Sequence, residues 1–156
     1  MTTRAARFRQ AVYDRYPPLM QRLDAPVMLH IVRFGARSFA NKAEVSAHLE
    51  NCLPALHHVY YYGNESIEET VYMFGKARVV LGFHGGGLTN LFFSSPGTVV
   101  IELSFTRSNR LWRSLKMLTH MRGHDLVWVP LALPQENMIH PGGDPRFATT
   151  SVPLWY

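Results

Sequence analysis

The sequence predicts an α/β fold, a Rossmann-like parallel sheet with helices on both faces, and three observations carry that prediction. Short runs rich in β-branched and aromatic residues alternate with segments of helical periodicity along the 156 residues. Two of those runs, Val27–Arg33 and Val79–Leu81, are almost continuously apolar, as strands covered on both faces are. The Val79 run breaks into Gly85-Gly86-Gly87, a short helical stretch and a second β-branched strand. The resulting order, β-α-β-α-β-α-β-α-β, calls for a parallel sheet with right-handed crossovers.

Taken in order, residues 1–24 mix Arg, Ala, Gln and aromatics and predict a basic helix that stops before Tyr16-Pro17-Pro18. Val27–Arg33 is the first strand, followed by a loop over Phe34–Ala40. Asn41 opens a helix, with Glu44 three residues on in the manner of a capping box. Its apolar positions Val45, Leu49, Cys52 and Leu53 recur at helical spacing, and Cys52 is expected to pack as a small apolar residue. The strand His58–Tyr62 ends at the turn Gly63-Asn64, and Ser66 with Glu69 caps a helix over Ile67–Ala77 that feeds the Val79 strand. After Ser95-Pro96-Gly97 comes the strand Thr98–Glu102. A helical stripe over Asn109–Arg122 stops at Gly123, and Leu126–Leu131 is the last strand. The expected division is a basic helical segment over 1–24, a Rossmann-like domain over 25–133 and an irregular Pro/Gly/Thr-rich tail over 134–156.

Bulk properties narrow the function. Hydrophobic content of 47% against 17% charged residues describes a folded domain rather than a disordered chain. The net charge of +5 suits an anionic ligand, but the arginines are scattered and form no dense run, which argues against nucleic acid as a partner. A single cysteine, Cys52, rules out an internal disulfide and a Cys-based zinc site. His30, His48, His57, His58, His120, His124 and His140 show no metal-ligand spacing, so no metal is expected. No apolar run approaches the ~20 residues that span a bilayer, and the basic N-terminus lacks the apolar core of a signal peptide. On these grounds alone the chain is expected in the cytoplasm.

The stretch around the glycines holds the chemistry. A turn at the carboxyl end of a parallel strand lies where open α/β sheets bind ligands. Three glycines let backbone N–H groups approach an anion, and the following helix points its positive end there. A bare glycine triplet is a weak motif and by itself reads as a tight turn and no more. The longer string HGGGLTN…F…PGT-VVIEL is more specific. It resembles the C-terminal signature of the glycosyltransferases of family 61, which includes secretory-pathway protein O-GlcNAc transferases and plant xylosyl- and arabinosyltransferases. The matching positions are Gly82, His84, Gly85, Gly87, Leu88, Thr89, Asn90, Phe93, Pro96, Gly97, Glu102 and Leu103. Gly86 stands where the family usually has alanine, a change expected to be harmless. Arg33, Arg37, Asn41 and Glu44 are similar to the family's upstream arginine motif, and Thr70 replaces its usual glutamine.

The resemblance, over roughly residues 27–131, implies the C-terminal, donor-binding half of a GT-B fold. It implies inverting, metal-independent transfer from a UDP-sugar to a protein or glycan hydroxyl, and a place in the Golgi or endoplasmic reticulum lumen. The absence of any Asp-x-Asp agrees with metal independence. Lacking an acceptor half and an anchor, the chain is expected to be a fragment or a divergent form. The residues expected at the donor are Arg33, Arg37, His84, Gly85, Gly86, Gly87, Leu88, Thr89, Asn90 and Glu102. The arginines and His84 would face the diphosphate, Glu102 a ribose hydroxyl or else a nearby arginine, while Thr89 and Asn90 would face the diphosphate or ribose, or else only cap the helix. Asn41 and Glu44 read as caps. No residue presents itself as the catalytic base. Two alternatives stay open, a non-catalytic nucleotide-binding module and a basic anion- or RNA-binding domain.

Overall fold

The computed structural model describes residues 4–15, 26–33, 38, 39, 41–104, 116, 118–120 and 123–131. Five strands form one sheet, every neighbouring pair parallel: β1 (Val27–Ile31), β2 (His57–Tyr61), β3 (Ala77–Phe83), β4 (Val99–Ser104) and β5 (Asp125–Pro130), in the order β2-β1-β3-β4-β5. The α-helices α1 (Arg4–Arg15), α2 (Lys42–Cys52) and α3 (Ile67–Lys76) and a 3-10 helix over Gly86–Phe93 accompany them among the described residues.

The strand order dictates the layering. From β1 the chain moves outward to β2 through α2, then returns across β1 to β3 through α3. Right-handed crossovers in opposite directions put the two helices on opposite faces. The core divides accordingly. Leu29, Ile31, Tyr61, Val80 and Val100 meet Val71 and Phe74 of α3 and Leu88, Leu91 and Phe93 of the 3-10 helix. On the other face Met28, Leu81, Phe83 and Leu103 meet Leu49 of α2 together with Phe39 and Leu56. The period of two along each strand assigns its residues to these faces.

Local chemistry sets the ends. Ser66 Oγ accepts from the Glu69 N–H, and the Glu69 carboxylate accepts from the Ser66 N–H, which is a full capping box opening α3. Asn41 departs from that pattern. It precedes α2, but its side chain donates to Glu44 Oε2 at 3.1 Å instead of accepting a backbone N–H. Cys52, expected to be packed, is exposed in the last turn of α2, with Sγ 3.5 Å from His48 Nε2. The basic helix α1 docks on the 3-10 helix, where Tyr13 Oη donates to the Phe93 carbonyl and Phe8 lies against the Phe93 ring. Most of the helix expected over Asn109–Arg122 and all of the tail expected over 134–156 lie outside the described residues. Among the described residues no helix is long and apolar enough to cross a membrane.

Candidate functional site

The sheet order reverses between β1 and β3, and the crevice outside the carboxyl ends of two such strands is where doubly wound folds take ligands. Arg33 follows β1 there and His84 follows β3. The Arg33 Nη1 donates to the His84 carbonyl at 3.2 Å, joining the two strand ends. Lys42 Nζ at the start of α2 donates to the Arg33 carbonyl at 3.0 Å. Arg37 lies outside the described residues.

The parallel register sets Gly82 beside Glu102, so His84, just past the end of β3, and Glu102, near the end of β4, share one face of the sheet. His84 Nδ1 hydrogen-bonds Glu102 Oε1 directly. Glu102 is 1% exposed, and its second oxygen, also buried, has no partner among the described residues. The carboxylate expected to face a ribose is thus covered and committed to His84. An unpartnered buried oxygen costs roughly 1–3 kcal/mol, and such expense is characteristic of sites.

The glycines divide their labour. A Cβ on Gly82 would lie 3.0 Å from Ile31 Cβ, and one on Gly87 would lie 2.8 Å from Ile31 Cγ2. Both leave room for that isoleucine. A Cβ on Gly86 meets nothing within 4 Å, so the alanine usual at this place fits. The N–H groups of Gly86 and Gly87 open the 3-10 helix, where no intrahelical acceptor reaches them. Leu88 belongs to the core at 2% exposure, and its N–H is taken by the Gly85 carbonyl. Thr89 Oγ1 donates to the Gly86 carbonyl at 2.6 Å, and Asn90 Nδ2 donates to Tyr61 Oη at 3.0 Å, tying the helix to β2. Arg33, His84 and the glycines therefore converge at the switch point. Leu88, Thr89 and Asn90 hold the helix in place.

On the α2 face of the same edge a cleft of about 440 Å³ opens, which the sequence did not disclose. Arg33 and Phe83 line it, together with Phe39, Tyr60, Tyr62 and His30. His30 is 6% exposed, stacks on Tyr60 at 4.8 Å between ring centroids, and meets His58 Nδ1 through Nε2 at 2.9 Å. Burial, and after it the neighbouring His58, pushes the His30 imidazole down to about 4. Tyr60 Oη donates to Glu50 Oε1 at 2.6 Å, and burial raises its pKa above the ordinary phenol value. Among the described residues no group of three His, Cys, Asp or Glu side chains is arranged to hold a metal ion.

A doubly wound parallel sheet with a glycine turn, an arginine and a histidine–carboxylate pair at its switch point belongs to the class of α/β domains that bind ligands at their carboxyl edge. Residues 2–101 match the model of the family Glycosyltransferase 61, and the chain belongs to that family of glycosyltransferases. The match takes in α1, which the resemblance did not reach, and ends one residue before Glu102. No curated protein matches the chain.

Proposed function

We propose that this chain holds the nucleotide-sugar donor of a family-61 glycosyltransferase, a UDP-sugar, with the diphosphate at the β1/β3 switch point. The observation that carries the reading is the meeting of Arg33, His84 and the N–H groups of Gly86 and Gly87 at one strand edge in a chain of this family. In an inverting transfer the acceptor oxygen attacks the anomeric carbon from the side opposite the diphosphate. The glycosidic C–O bond breaks, its electron pair passes to the diphosphate, and a base removes the acceptor's proton. Charge thus grows on the leaving group, and donors already aimed there favour the transition state over the bound sugar. A guanidinium suits two phosphate oxygens at once. Arg37, four residues beyond Arg33, is assigned to the same anion.

The transfer is assigned no metal, as the family resemblance implies, and the lack of an Asp-x-Asp in these residues agrees with it. The fold corresponds to the C-terminal half of a GT-B enzyme, with the acceptor hydroxyl and the base supplied from the facing half. The acceptor is assigned as a protein or glycan and the reaction to the Golgi or endoplasmic reticulum lumen, in keeping with a family typical of the secretory pathway.

Calorimetric titration of UDP and a panel of UDP-sugars tests the reading, with and without EDTA, on wild type and His84→Ala. The expected result is binding indifferent to EDTA and weakened about tenfold or more by His84→Ala. A cooperatively folded chain that binds no UDP-sugar, or binds it equally well without His84, refutes the placement.

A further inference from the structure

A relay of two hydrogen bonds, from His30 to His58 and from His58 to the Leu53 carbonyl, turns His30 into a hydrogen-bond acceptor of fixed direction. The Leu53 carbonyl has no proton to give, so at 3.2 Å it accepts from His58 Nε2–H. In neutral His58 that leaves Nδ1 as an acceptor, and Nδ1 lies 2.9 Å from His30 Nε2, which must donate. With its proton on Nε2, neutral His30 keeps a lone pair on Nδ1, for which no partner exists among the described residues. Burial holds His30 neutral well below pH 7. His30 is more than nine-tenths buried and still lines the cleft beside Arg33.

The walls of the cleft that His30 lines select its guest. The cleft is largely apolar, and Phe39, Tyr60, Tyr62 and Phe83 give it flat aromatic faces that suit a ring. A sugar, with hydroxyls on all sides, would leave most of them unpaired against such walls. Arg33 both lines the cleft and bonds the His84 carbonyl, so a ligand with its anion at the glycine turn reaches the cleft across the strand edge.

Building on the nucleotide-sugar reading, we infer that this cleft receives the pyrimidine base of the donor, and that His30 Nδ1 accepts the base's ring N–H and thereby selects uracil over cytosine. Uracil presents an imide N–H between two carbonyls. Cytosine presents a lone pair at the same ring position, which would face that of Nδ1. Discrimination by a buried acceptor of this kind is large, because the wrong base leaves both lone pairs without a proton.

Competitive titration of the full chain with UDP, dTDP, CDP and 3-methyluridine diphosphate tests the inference, alongside inorganic pyrophosphate. UDP and dTDP should bind at least about tenfold tighter than CDP and than the N3-methylated nucleotide. His30→Leu should bring UDP to the CDP level and leave pyrophosphate unchanged. His30→Asn, which returns an oxygen acceptor near the Nδ1 position, should restore part of the difference. His58→Phe removes the group that fixes the tautomer and should narrow the UDP/CDP ratio with the fold intact, a readout that survives if His30→Leu fails to fold. If UDP and CDP bind alike while His84→Ala weakens both, the role of His30 is overturned and the diphosphate site stands. If a folded chain binds no nucleoside diphosphate, both fall.

Discussion

Alanine at Gly87 separates packing from ligand approach as the reason for the glycine turn. A Cβ there lies 2.8 Å from Ile31 Cγ2, about 1 Å inside ordinary carbon contact. Ile31 has no easy escape. It is 8% exposed, its branched Cβ holds Cγ2 stiffly, and Gly82 already sits against its other side. The 3-10 helix must therefore shift outward from β1. Overpacking of this kind costs roughly 1–3 kcal/mol, and removing a glycine from the unfolded chain returns about 0.4–1 kcal/mol. The expected net loss at Gly87→Ala is about 1–2 kcal/mol. One residue earlier the same substitution meets nothing within 4 Å, and Gly86 is not among the glycines with positive φ. Gly86→Ala should stabilise by about 0.5 kcal/mol.

Urea unfolding followed by circular dichroism reads the pair, with midpoints moving in opposite directions at constant m. Ile31→Ala removes the clashing methyl, so Gly87→Ala placed on that background should lose most of its cost, a coupling of about 1 kcal/mol. Equal midpoints for the two single alanines, or additive effects with Ile31→Ala, would refute the packing account and return Gly87 to the ligand.

Two further outcomes follow from local geometry. Ser66→Ala takes away the acceptor for the Glu69 N–H in a complete capping box and should cost about 1 kcal/mol in the same assay without changing nucleotide affinity. For His30, the unfolded chain takes up a proton from about pH 6.5 downward and the native one only from about pH 4. Between the two the unfolded state binds more protons, so stability is full above pH 6.5 and falls with pH, by up to about 3 kcal/mol across the window and less where water reaches the ring. Unfolding midpoints between pH 7.5 and 4.5 should drop more steeply for wild type than for His30→Leu; parallel curves would contradict the burial of a neutral His30.

Much of this architecture is legible in the residues. The apolar run before Gly85, the β-branched run after Gly97 and the Ser66/Glu69 pair each carry a local cause, and each element formed within a few residues of its expected place. Strand ends moved most. β3 starts at Ala77, before the expected Val79, because α3 passes into it without a loop. What local pattern does not hold is the neighbourhood of strands. Glu102 reaches His84 across 18 residues only because β4 lies beside β3 with Gly82 opposite Glu102. Both residues lie at the carboxyl side of runs legible as parallel strands, and setting those runs side by side brings the pair together. The His30 cleft was hidden for the same reason, since β1 lies between β2 and β3 and only that order sets His30 beside Tyr60. A histidine inside the run VMLHIV, otherwise apolar, was the available signal.

Glu102 decides how the anion side of the site works. A carboxylate beside a diphosphate repels it, so its presence in the proposed donor site needs a reason. Direct contact with a ribose is one. The geometry favours another, that Glu102 acts through His84 as a positioning residue, since the carboxylate is 1% exposed and bonded to Nδ1. The two accounts diverge in a double-mutant cycle. If Glu102 acts through His84, Glu102→Ala lowers affinity about as far as His84→Ala, and combining them adds little. Glu102→Gln, which keeps an oxygen for Nδ1, then stays within about threefold of wild type. UDP and pyrophosphate respond in parallel, because the effect is exerted at the phosphates. If Glu102 instead touches the ribose, its loss weakens UDP and spares pyrophosphate, and the two substitutions add. Calorimetry on four proteins and two ligands separates the accounts, and a loss confined to UDP would overturn the positioning role.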